Sequence, residues 1–282
     1  MIKNAWRFPM GKQILLINDM AGYGKVALAA MMPVLSHMKH HIHNLPTALV
    51  SNTLDYGKFN ILETTDYMVE AINVWQELGF TYDAVSTGFI VSERQAKIVA
   101  DFCKKQKEKG SLIFVDPIMG DEGALYNGVT PQTISHMKEL IKVSDYIVPN
   151  YTEAAYLAEI PYKEHGISMS EADEIIDRLL GLGAKSIIIT SARVENEDMV
   201  IVYDYNKKEK SILPFQSVPV HFPGTGDIFS AVFMGFLLGG KSLVDSTQRA
   251  MDIVKTMIEI NKDNRDKFKG IPIESHFDLL DE

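Results

Sequence analysis

A glycine-rich turn running directly into an apolar helix, PGTGDIFSAVFMG from Pro223 to Gly235, is where residue types and spacing in this chain first suggest chemistry. Gly224 and Gly226 let the backbone take conformations closed to other residues and bring its N–H groups against a ligand, and the helix behind them adds its positive end. Together these make an anion site. Asp227 stands at its mouth, where a carboxylate has electrostatic reason to be ionised and can take a proton from an attacking hydroxyl. A donor turn plus a base suggests phosphoryl transfer. A tight turn followed by an ordinary helix N-terminal carboxylate would explain the same letters.

Other polar residues stand where apolar segments end: Asn18 and Asp19, Gly88, Asp116, Asn150 with Glu153, and Thr190. In open parallel sheets, ligands bind beyond the carboxyl ends of the strands. Asp116 opens DPIMGDEGALY, which supplies a second carboxylate, Asp121. Carboxylates facing a polyphosphate usually act through a metal, and Mg²⁺ takes one or two of them with water and phosphate completing an octahedron. The plainer account of Asp116 is a strand-end turn ahead of Pro117. Asn150 with Glu153 three residues on is a capping box, and a cap facing a nucleotide can also hold a metal-bound water. Thr190, in ITSA, either bonds a phosphate or simply ends a strand. His37, His40, His41 and His43 have no second ligand group nearby and read as a solvated helix end and its loop.

The elements that must position these residues alternate. Strands are expected at 13–17, 48–50, 84–87, 112–115, 146–148 and 186–190, and helices at 26–38, 65–78, 92–109, 131–143, from about 151, 171–182, 228–238 and 243–260. Asn18 to Gly24 reads as a turn, and Pro33 should bend the first helix or mark its first turn. SNTLDYGKF, from Ser51, reads as a polar loop of the kind that carries specificity. Ser92 with Gln95 is a capping-box start, and MVIVYDYNKKEKSILPF is an antiparallel hairpin joined at Asn206-Lys207. Ile- and Val-rich strands without polar alternation require cover on both faces, so the pattern is doubly wound α/β.

Composition narrows the class. With 282 residues, 46% hydrophobic and 23% charged, the chain has globular values, and no linker or repeat divides it, so 1–282 reads as a single domain. A formal charge of −9 argues against nucleic acid as the main partner, and Lys104 to Lys109 reads as a solvated helix end. No apolar run is long enough for a bilayer, and the start carries no export signal, so a soluble, cytoplasmic protein is expected. The single Cys103 excludes an intramolecular disulfide and reads as a partly buried helix residue. The helix over 65–78 is core or dimer surface.

INDMAGYGKVALAAMMPVL, STGFI at Ser86, VDPIMGDEGALY at Val115, VPNYTEA at Val148, IIITS at Ile187 and GTGDIFSAVFMG at Gly224 resemble, in order and over nearly the whole chain, the pyridoxal kinases of the ribokinase-like superfamily. That resemblance implies a ribokinase-like α/β fold: a mostly parallel central sheet with helices on both faces, an antiparallel edge hairpin and no separate lid domain. It implies ATP-dependent phosphorylation of the hydroxymethyl group of a B6 vitamer, with Mg²⁺, a monovalent cation such as K⁺, and a homodimer. Asp227 then looks like the catalytic base, with Gly224, Thr225 and Gly226 as the anion hole. Asp116, Asn150 and Glu153 look like nucleotide positions, Asp116 and Glu153 also like metal positions, and Tyr126 and Thr190 lie near the phosphates or adenine. Asp19, Thr53, Gly88 and Phe89 match places where the family holds its pyridine. Many members have serine where this chain has Asp19, and the SNTLDYGKF loop aligns with their histidine-threonine stretch only with a gap. The choice among pyridoxal, pyridoxamine, pyridoxine and hydroxymethylpyrimidine therefore stays open. So do an ATP-dependent NAD(P)H-hydrate dehydratase-like lyase of the same fold and a non-catalytic B6-binding protein. A dinucleotide oxidoreductase is disfavoured because NDMAGYGKV lacks the G-x-G-x-x-G spacing.

Overall fold

The structure is a computed structural model that describes residues 11–126 and 129–281; the expectation drawn from the first ten residues lies outside that range. β1 (Gln13–Ala21) leads into α1 (Ala27–His37) and β2 (His41–Val50), and β3 (Ile61–Glu63) precedes α2 (Thr65–Glu77). β4 (Ala84–Thr87), α3 (Glu93–Glu108) and β5 (Leu112–Val115) repeat the alternation. A small hairpin, β6 (Gly120–Asp121) and β7 (Ala124–Leu125), stands apart before α4 (Pro131–Ile141), β8 (Tyr146–Ile147), α5 (Tyr151–Ala158) and α6 (Met169–Gly181). The chain then forms β9 (Ser186–Val194), β10 (Glu197–Asp204), β11 (Glu209–Pro214), α7 (Thr225–Leu238) and α8 (Leu243–Asn261).

All strands except the small hairpin join one nine-stranded sheet, ordered β11-β10-β9-β8-β5-β4-β1-β2-β3. Pairing is parallel from β2 to β9 and antiparallel only at the edges, between β2 and β3 and among β9, β10 and β11. Period-two alternation sorts β1 between two cores. Leu15 and Ile17 pack with α2, α3, α4, α5 and α6, while Ile14 and Leu16 pack with α1, α7 and α8. α7 is buried at every position from Ile228 to Phe236 because α1, α8 and the sheet enclose it. This places its N-terminus at the carboxyl ends of the central strands.

Several local details differ from expectation. β2 starts at His41 rather than at residue 48, so His41 and His43 lie in a strand and not at a helix end. His43 bonds Gln13 Oε1 at 2.7 Å, and His40 lies between the Lys12 N–H and the Gly235 carbonyl. β1 extends through Asn18, Asp19 and Met20, where the sequence suggests a turn, because β2 continues beside them. β3 lies between the polar loop that ends at Phe59 and the helix expected from residue 65, where the sequence suggests no element. Pro33 lies well inside α1 rather than in its first turn, where the burial of Leu28, Met31, Val34 and Leu35 offsets the lost hydrogen bond. Cys103 is fully buried in α3, and burial pushes its thiol up to about 12.

Candidate active site

The site begins at Gly224, the N-cap of α7, whose φ of 83° lies in the left-handed region. A Cβ there would also sit 2.1 Å from the Lys25 carbonyl oxygen, so the chain turns into α7 only with glycine at this position. Thr225, Gly226 and Asp227 make the first helical turn, whose N–H groups have no intrahelical acceptor. Gly226 corrects the expectation: it is helical, and a Cβ on it would meet nothing within 4 Å, so its missing side chain provides room rather than an unusual backbone.

The Asp227 carboxylate is held at both oxygens. The Ala27 N–H donates to Oδ2 at 2.8 Å, and the Asn18 amide donates to Oδ1 at 3.4 Å. Ala27 itself has a left-handed φ of 49°, so this hydrogen bond fixes a strained start to α1. Burial outweighs these two donors and pushes Asp227 up to about 6, which still leaves it ionised at neutral pH.

Beside this turn lies a cavity of about 560 Å³. Asp116, Asn150, Glu153, Thr190, Thr225 and Gly226 line its polar part, and Val200, Phe215, Val218, Phe229, Met251 and Ile258 give it an apolar end. A mostly apolar cleft of this size with a few convergent polar groups is the form small-molecule and cofactor sites take. The structure therefore brings together at one cavity Asp116, Asn150, Glu153, Thr190 and the Gly224 turn. The sequence reading missed the apolar end and the polar residues Gln216, Gln248, Asp252 and Lys255 beside it.

Asp116, half-buried at the end of β5, accepts the Ser230 hydroxyl at 2.8 Å; burial, and then the charge of Asp227, push it up to about 7. Glu153 is buried and closes the capping box of α5, accepting from the Met119 N–H at 2.8 Å and the Asn150 N–H at 2.9 Å. Burial and Asp116 push it up to about 8. The Asn150 amide is also committed, accepting from the Glu153 N–H and donating to the Gly120 carbonyl at 2.7 Å, which ties the β6–β7 hairpin to α5. Asp121 accepts the Glu122 N–H, and burial raises it. Among the described residues no lysine, arginine or histidine offsets Asp116 or Asp227. Hard oxygen donors with excess negative charge at a cavity fit Mg²⁺, and Asp116 and Glu153 both line this one.

A second group is joined to Asp227 through Asn18. Asn18 is buried, and its Oδ1 accepts the N–H groups of Asp19 at 3.0 Å and Phe89 at 2.8 Å. A Cβ at Gly88 would lie 2.4 Å from the Asn18 amide, so Gly88 leaves the space in which that amide sits. Asn18 thus links Asp19, the 88–89 turn and Asp227. The sequence reading placed it at a strand end without a role, although two adjacent polar residues ending a buried strand were the signal. Burial, then Asp227, push Asp19 up to about 7. Thr53 is buried and gives its hydroxyl proton to the Phe268 carbonyl at 2.6 Å, leaving only acceptor capacity for a ligand. Tyr126 is 48% exposed and does not line the cavity, yet it lies near enough to Asp121, Glu153, Asp116 and Asp227 for burial and their charges to push its phenol up.

Residues 28–271 match the protein family described as phosphomethylpyrimidine kinase. A protein of Bacteroides thetaiotaomicron provisionally named phosphomethylpyrimidine kinase, crystallised in a form with pyridoxal, is 35% identical. The two chains superpose with a TM-score of 0.89 over 96% of each. The pyridoxal kinase of Lactobacillus plantarum superposes with a TM-score of 0.85 at 25% identity, covering 95% of this chain and 96% of its own. A pyridoxal kinase of Rubrobacter xylanophilus is 25% identical over 259 residues, 88% of this chain and 87% of its own.

Proposed function

Because the chain belongs to the phosphomethylpyrimidine kinase family, and within the ribokinase-like superfamily stands with the pyridoxal kinases, we propose that it transfers a phosphoryl group from ATP to the hydroxymethyl group of a B6 vitamer. The observation that carries the reading is the position of Asp227. It adjoins Thr225 and Gly226, which line the cavity, and it is hydrogen-bonded to Asn18, which organises the group around Asp19 and Gly88. A base that joins a nucleotide-sized cavity to a second cluster of polar groups is what transfer between two bound substrates requires.

In this reading the vitamer sits among Asp19, Thr53, Gly88 and Phe89, and the nucleotide lies along Asp116, Asn150, Glu153 and Thr190 with its base at the apolar end. Asp227 accepts the proton of the attacking hydroxyl. The first-turn N–H groups of α7, aligned by Gly224, receive the charge that develops on the transferred group. Asp116 and Glu153 would hold Mg²⁺, which would supply charge neutralisation at the phosphates. Tyr126 covers the carboxylates from the β6–β7 side. The chain works as one catalytic unit without a lid domain, in a reducing cytoplasm that suits its buried Cys103. A homodimer would cover the apolar residues that α2 and β3 leave exposed, Tyr67, Val74, Leu78 and Leu62; light scattering in solution measures that state.

The family description supports a second reading, phosphorylation of hydroxymethylpyrimidine. An ATP-coupled assay over pyridoxal, pyridoxamine, pyridoxine, hydroxymethylpyrimidine and ribose, with and without Mg²⁺ and K⁺, separates them. Turnover of at least one B6 vitamer with ribose inactive is expected. Activity on the pyrimidine or on sugars alone would refute the B6 assignment.

A further inference from the structure

Asp19 occupies an irregularity in the sheet. β1 and β2 pair in continuous register from Gln13↔His41 to Asn18↔Pro46 and resume at Met20↔Leu49, so Asp19 is the residue at which the ladder shifts. The extra residue is in β2, where Thr47 and Ala48 stand opposite Asp19, so the ladder opens beside Asp19. Asp19 is then pinned from its own backbone, because its N–H donates to Asn18 Oδ1 at 3.0 Å, the same oxygen that holds Phe89 at 2.8 Å. The other end of that amide reaches Asp227 at 3.4 Å. One buried side chain thus sets the relative positions of the bulge, the 88–89 turn and the base on α7.

The electrostatic consequence follows from what is and is not present. Asp19 is close enough to Asp227 for their charges to act on one another, and among the described residues no lysine, arginine or histidine offsets Asp19. Lys25, six residues on in the chain, pairs with Glu274, and Lys269 lies over the Tyr23 ring. A neutral ligand beside these two carboxylates would leave their repulsion uncorrected. A ligand carrying an ammonium group would relieve it and gain a charge-assisted hydrogen bond that an alcohol or aldehyde cannot match.

Resting on the phosphoryl-transfer reading above, we propose that Asp19 is a specificity-determining residue that selects the B6 vitamer bearing a protonated aminomethyl group, pyridoxamine, over its alcohol and aldehyde counterparts. Pyridoxine is the sharpest comparison, because it differs from pyridoxamine by a hydroxyl in place of the ammonium. The test measures kcat/KM for pyridoxamine, pyridoxine and pyridoxal in the wild type and in Asp19→Asn, which keeps size and removes charge. The wild type should favour pyridoxamine, and Asp19→Asn should lower the pyridoxamine-to-pyridoxine ratio about ten- to a hundredfold, chiefly through the KM for the amine. An ATP KM like that of the wild type shows that the variant is folded.

Should Asp19→Asn fail to fold, binding of pyridoxamine and pyridoxine to the wild type by calorimetry replaces it. The amine should bind more tightly than the alcohol, since only the ammonium completes the charge-assisted contact. A wild type that prefers pyridoxine or pyridoxal, a ratio unmoved by Asp19→Asn, or equal affinity for both ligands would overturn the assignment while leaving the kinase reading intact. Failure to phosphorylate any of the three vitamers would instead overturn the reading on which it rests.

Discussion

Asp227 is asked to be both sheltered and basic, and these demands oppose each other. Burial favours its neutral form, the Ala27 and Asn18 donors favour the ionised form, and the balance near 6 leaves it a working base at neutral pH. Replacement by Asn keeps its size and removes the base, so kcat should fall by about 10²- to 10⁴-fold while ATP still binds. In the wild type, kcat/KM should decline as pH falls through about 6, because protonation disables the group. A correctly folded, ATP-binding Asp227→Asn variant with near-wild-type kcat would remove Asp227 from the mechanism. The two glycines beside it should behave oppositely. Gly224→Ala places a Cβ 2.1 Å from a carbonyl oxygen at a left-handed φ, and should cost about 1–3 kcal/mol of stability. Gly226→Ala meets no atom and adds a better helix former, so it should melt no lower than wild type. Its methyl would project at the cavity lip, so the KM for ATP should rise. Equal losses of stability in the two variants would mean that backbone strain at Gly224 and open space at Gly226 do not distinguish the two glycines.

At the scale of elements, α5 shows how one residue can serve architecture and chemistry together. Glu153 closes the capping box and holds the Met119 N–H, so it fixes both the helix start and the strand-end loop after Asp116. Glu153→Gln retains one acceptor oxygen and removes the charge. If the residue also serves a metal, the variant should need several-fold more Mg²⁺ for half-maximal activity, while the loss of cap strength costs about 0.5–2 kcal/mol. An unchanged Mg²⁺ requirement would leave only the architectural role. The box was legible in the sequence because its two partners are three residues apart, and so were the Gly224 turn and the strands buried on both faces. What escaped notice has a common physical cause. The first half of β2, with His41 and His43 exposed, breaks the apolar pattern, and β3 is only three residues long and exposed throughout, so edge pairing alone defines them. The apolar end of the cavity depends on α8 crossing the 214–218 segment, as in the 3.4 Å approach of Lys255 to Gln216, and no local pattern records such a meeting.

For the whole molecule, the concentration of carboxylates at one end of the sheet predicts an unusual dependence of stability on pH. Asp19 and Asp116 rise from an ordinary 3.8 to about 7, Asp227 to about 6, and Glu153 from 4.5 to about 8. A carboxyl group whose folded value exceeds its unfolded one binds more protons folded than unfolded between the two values, so stability rises as pH falls through that interval. Other carboxylates act in the opposite sense: Lys185 and Lys107 hold Asp145 below its usual range, and Lys163 with Ser168 lowers Glu171 to about 2. Their contribution is complete above the unfolded values and is lost only as pH falls below about 4. The two sets leave a stability maximum on the acidic side of neutrality. Calorimetry on the ligand-free protein should therefore give a higher Tm near pH 5.5 than near pH 8. The difference should shrink in Asp19→Asn and in Glu153→Gln, each of which removes one of the groups responsible. Adding ATP with Mg²⁺ should raise Tm more at the higher pH, where the cation meets carboxylates already ionised. A Tm that climbs steadily from pH 5.5 to 8 without ligand would mean that these carboxylates are compensated in the folded protein. The negative site on which both the metal and the amine selectivity depend would then not exist.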